Sequence, residues 1–152
     1  MEEISIKEIY GKLKVKLPEF DKLDYEFEIN ACEAEGFILR NIRRKICDKY
    51  DFGQKFLEEM MQTECLFALV EAKEFNEEDI EKAFVVYKKI MYILRLNVEL
   101  DIEDTDQKNA DFIIMALNEW QTIKKELLAY NARKIKCWKN PATKPEKLGY
   151  LG

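Results

Sequence analysis

An all-α fold, a helical bundle of about five helices, is what this 152-residue sequence predicts. Three observations carry that expectation. Turn formers are scarce: five glycines, three prolines and a single serine, Ser5, leave little material for the many tight turns of a sheet protein. Apolar residues recur at three-four spacing over long windows. The composition, 47% hydrophobic and 36% charged, is that of a globular chain with a core and not of a disordered one. The length suits one domain, expected over residues 1–138, with 139–152 as a flexible basic tail.

Ser5 with Glu8 forms a capping-box pattern, and Ile6, Ile9, Tyr10 and Leu13 follow at helical spacing. Pro18 ends what precedes it. Residues 12–29 admit two readings. "KLKVKL" and "YEFEI" alternate as the strands of a short β-hairpin would. Leu23, Phe27, Ala31, Ala34 and Ile38 instead fit one helical stripe, which favours a helix from about Asp21; Asn30 with Glu33 offers a second capping box as its alternative start. Helix is expected over residues 31–50, with Phe37, Ile38, Ile42, Ile46 and Tyr50 apolar, and Gly53 marks a break. A third helix is expected over residues 54–73, apolar on most faces and so central. Its Phe56, Met60 and Met61 are core candidates or, if exposed, a groove for a partner helix. Asn76 with Asp79 caps a fourth helix carrying Ile80, Ala83, Phe84, Tyr87, Ile90, Met91 and Leu94, with Asn97 as its stop. The fifth, over residues 106–136, has Ile113, Leu117, Trp120, Ile123, Leu127 and Tyr130 as its buried stripe before Pro141 and Pro145.

The absence of histidine narrows the chemistry most. It removes the usual general base at neutral pH, the Ser–His and Cys–His nucleophile pairs, and the commonest nitrogen ligand for metals. Cys32, Cys47, Cys65 and Cys137 contain no CxxC pair and read as reduced, mostly buried residues. The start, MEEISIKEIY, has neither the basic region nor the apolar run of a signal peptide, and the longest apolar run, residues 66–70, is too short for a bilayer. A cytoplasmic protein with no membrane partner is expected.

The stretch "VELDIEDTDQKNAD", residues 98–111, sets six carboxylates against one lysine and invites a test as a cation site. A calcium loop needs oxygen ligands at positions 1, 3, 5 and 12 and glycine at 6. Starting at Asp101 puts Asp106 at 6 and Phe112 at 12; starting at Asp104 puts Asn109 at 6 and Met115 at 12. Both registers fail. A second pattern pairs "EEDIE" (Glu77, Glu78, Glu81) with "EDTD" (Glu103, Asp106). It superficially resembles the carboxylate pairs of all-α nucleoside triphosphate pyrophosphohydrolases of the MazG type. That resemblance implies a magnesium-dependent nucleotide hydrolase with these five residues as ligands, whereas no cofactor is expected otherwise. The competing explanation is that carboxylates gather in the first turn of a helix, against its positive end.

Basic residues cluster too: Arg40, Arg43 and Arg44 on neighbouring turns, and Arg133, Lys134, Lys136 and Lys139 toward the C-terminus. Nucleic acid or another anion is the partner such clusters suggest, although a net charge of −5 argues against broad duplex binding. The leading expectation is a non-enzymatic helical interaction or regulatory protein, acting on another protein or by self-association. An acidic inhibitor or an accessory protein of phage or mobile-element type would have this character. The magnesium hydrolase and a nucleic-acid-binding module are the alternatives.

Overall fold

A computed structural model describes residues 4–34, 36–62 and 64–141, and among these it is all-α, with no strand. Six helices follow in order: α1 (Ile6–Gly11), α2 (Phe20–Phe27), α3 (Ile38–Met61), α4 (Leu66–Glu71), α5 (Glu77–Ile102) and α6 (Asp106–Lys139). Short 3-10 turns lie at Ile29–Ala31 and Ala72–Glu74. The tail expected over 139–152 lies, from residue 142, outside the described residues.

No hairpin forms over residues 12–29. Ser5 caps α1 by accepting from the Glu8 N–H at 3.3 Å. The Tyr10 hydroxyl then donates to the Pro18 carbonyl at 2.5 Å and its ring meets Phe20 edge-on, folding the Pro18 segment back onto α1. Nor does the stripe from Leu23 to Ile38 form one helix. Glu28 takes a left-handed conformation (φ 56°), its N–H closing on the Asp24 carbonyl at 2.8 Å. The Asp24 carboxylate accepts from both the backbone and the side-chain amide of Asn30, at 2.8 and 2.7 Å. Those bonds hold the chain out of helix, so α3 starts at Ile38 and not at residue 31.

Gly53 does not break α3, which runs on to Met61. A Cβ at Gly53 would lie 3.0 Å from Ile90 Cδ1 and 3.3 Å from Leu127 Cδ1. Glycine is there because α5 and α6 both press against α3, and the helix tolerates it. The helix expected over 54–73 is therefore the end of α3 followed by the separate α4. Met60 is buried, and Phe56 and Met61 pack partly buried against the core, so they form no open groove.

The three long helices form the body. Arg43 reaches Asn97 and Glu58 reaches Tyr87, so α3 and α5 are antiparallel; Arg43 reaches Asn109 and Tyr50 reaches Ala116, so α3 and α6 run together. All six expected residues of the α6 stripe are buried. Trp120 is the meeting point of the layers, with ring centroids 5.4 Å from Tyr50 on α3 and 6.0 Å from Phe27 on α2. The side chain of Glu26 fastens α2 to this point, accepting from Trp120 Nε1 and Lys124 Nζ at 3.1 Å each.

If Gly53 marks close packing, Gly53→Ala should stay within about 1 kcal/mol of the parent, because helix propensity gained offsets a tight contact with two movable methyls. Gly53→Val should lose about 2 kcal/mol through overpacking. Urea unfolding of the two variants measures both, and a Val variant as stable as the parent would contradict the packing assignment.

Candidate functional site

The acidic stretch and the first arginine cluster meet at one end of the bundle. Asn97 does not stop α5, which continues to Ile102 because its C-terminal turns are engaged by α3. The Arg43 side chain, fully buried, donates from Nε to Asn109 Oδ1 at 2.7 Å, from Nη2 to Asp101 Oδ1 at 2.9 Å, and from Nη1 to the carbonyl (3.0 Å) and the side-chain oxygen of Asn97. Arg40 grips Asp104 in a two-point fork at 3.0 and 3.1 Å, and Asn109 Nδ2 donates to the same carboxylate at 2.9 Å. Arg44 adds a bond to Asp101 at 3.1 Å. The arginines that suggested an anion site are thus partnered by Asp101 and Asp104 of the acidic stretch.

The electrostatics follow. Hydrogen bonds from Arg40 and Asn109 hold the Asp104 carboxyl far below the usual carboxylate range. Burial pushes Asp101 upward, but bonds from Arg43 and Arg44 together outweigh it and the net shift is down. Arg40 is raised, chiefly by its bond to Asp104.

The second basic cluster is engaged in the same manner at the opposite end. Arg133 donates to the Glu74 carbonyl and to Asp79 at 2.9 Å, and its guanidinium lies 4.6 Å over the Phe75 ring. Lys134, also buried, faces Glu71 at 3.7 Å and sits 4.0 Å over Phe56. Asp79 closes the expected capping box with Asn76. The bond from Arg133, seconded by the Asn76 N–H, lowers Asp79 to about 2. Lys136 and Lys139 are exposed. Measured along α6 from Asn109 to Arg133, the two basic clusters are roughly 36 Å apart and form no shared surface.

The carboxylate pairs of the hydrolase pattern are likewise not brought together. Glu77, Glu78 and Glu81 lie in the first turns of α5, exposed, with Glu78 paired to Lys82 at 2.9 Å. Glu103 follows the last turn of the same helix, roughly 33 Å away from Glu81, and exposed Asp106 opens α6. One straight helix cannot fold its two ends onto one ion. Among the described residues no group of three or more candidate ligands could hold a metal. No helix among them is long and apolar enough to cross a membrane. The Cys137 thiol donates to the Val70 carbonyl at 3.6 Å, and burial pushes Cys47 up to about 12.

What sequence reasoning missed lies between α5 and α6. Both pack more closely on α3 than on each other, and a groove runs along their seam, lined among the described residues by α5, α6 and the turn at Glu103. Among its lining residues, Val85, Lys89, Tyr92, Leu96 and Glu99 of α5, with Glu103 just past its end, face Lys108, Phe112, Met115, Glu119, Thr122 and Glu126 of α6. Both stripes step by four, three, four, three and four residues, which is the seam spacing of packed helices. Tyr92 is 62% and Val85 52% exposed. Phe84, expected in the core, is instead 47% exposed, and Val98 and Ile102 are exposed too, none of the three lining the groove.

Asp79, Asp101 and Asp104 all bind protons less readily folded than unfolded, where an aspartate titrates near about 3.9. Their contribution to stability is complete above about pH 4 and is lost as pH falls through the folded values. With no histidine in the chain, the thermal midpoint should stay level between about pH 8 and 6 and drop steeply from about pH 4 toward 2. Calorimetry across this range checks it, and a fall centred near pH 6 would contradict the assignment.

Comparison with protein-family models, curated proteins and solved structures yields no match for this chain.

Proposed function

We propose that this chain is a helical interaction protein that receives the helical surface of another polypeptide in the groove between α5 and α6. The observation that carries the reading is the paired seam: among the described residues α5 and α6 alone line a groove at four-three spacing, with Val85 and Tyr92 exposed on its wall. Helices that pack leave such spacing at their contact, and an incoming helix laid along the seam would complete it. Covering Val85 and Tyr92 alone would remove two large apolar side chains from water, worth about 1.5–3 kcal/mol each when fully buried. Charges along the walls would set the direction of the incoming helix.

Tyr92 offers a direct test. A photo-crosslinking phenylalanine analogue at position 92, in the cells that make the protein, should trap a polypeptide on irradiation. The same analogue at Tyr25, which is 81% exposed on α2, should not. Absence of any product at position 92, or equal products at both positions, would overturn the docking groove.

A further inference from the structure

We draw no further inference here: the strongest candidate, the apolar depression rimmed by Glu99, Glu103, Lys108 and Asp111 at the Ile102 end of α5, belongs to the groove already described, and nothing in the structure shows what covers it.

Discussion

The buried guanidinium of Arg43 fixes how the three long helices sit against one another. A charged group removed from water must have its hydrogens matched, or the cost runs to several kcal/mol. Arg43 finds its partners on both neighbours: Asn97 and Asp101 from α5, and Asn109 from α6. A slide of either helix by one residue would withdraw an acceptor from a group that cannot reach solvent. Apolar packing brings α3, α5 and α6 together, and Arg43 selects one register from the several that apolar packing would tolerate. Arg133 and Lys134 perform a related task at the other end, fastening the α4–α5 connection to α6.

This arrangement explains why two conspicuous charge clusters lead away from function. Six carboxylates in residues 98–111 and three arginines in residues 40–44 look like binding sites when each is considered alone. Folding sets Asp101 and Asp104 against Arg40, Arg43 and Arg44, so the arginines and the two carboxylates nearest them serve each other. The α5–α6 seam, by contrast, is lined among the described residues by charges of both signs.

Much of the fold was legible in the sequence, and the misreadings have local causes. The α6 stripe and the Asn76 capping box were readable because both depend on residues close in sequence. The break between α2 and α3 was not: it rests on a left-handed Glu28 and on Asp24 holding Asn30, and neither residue is a strong breaker by type. Gly53 suggested an end because its long-range reason, the approach of Ile90 and Leu127, is invisible to local pattern. Asn97 suggested a stop for the same reason, its polar groups being taken by Arg43. The groove escaped notice because its stripes mix charged and apolar residues and so resemble an ordinary solvated face. The matched four-three stepping of Val85 to Glu103 and Lys108 to Glu126 was the signal available, and it becomes meaningful only once α5 and α6 are known to be antiparallel neighbours.

The registering role of Arg43 is open to a direct comparison with its neighbour Arg44, which is half exposed and bonds only Asp101. Unfolding free energies from urea titration of Arg43→Met and Arg44→Met should separate widely. Arg43→Met should lose about 3 kcal/mol, since it strands acceptors on two helices. Arg44→Met should remain within about 0.5 kcal/mol of the parent. Small and equal losses in the two variants would contradict the assignment of helix register to Arg43.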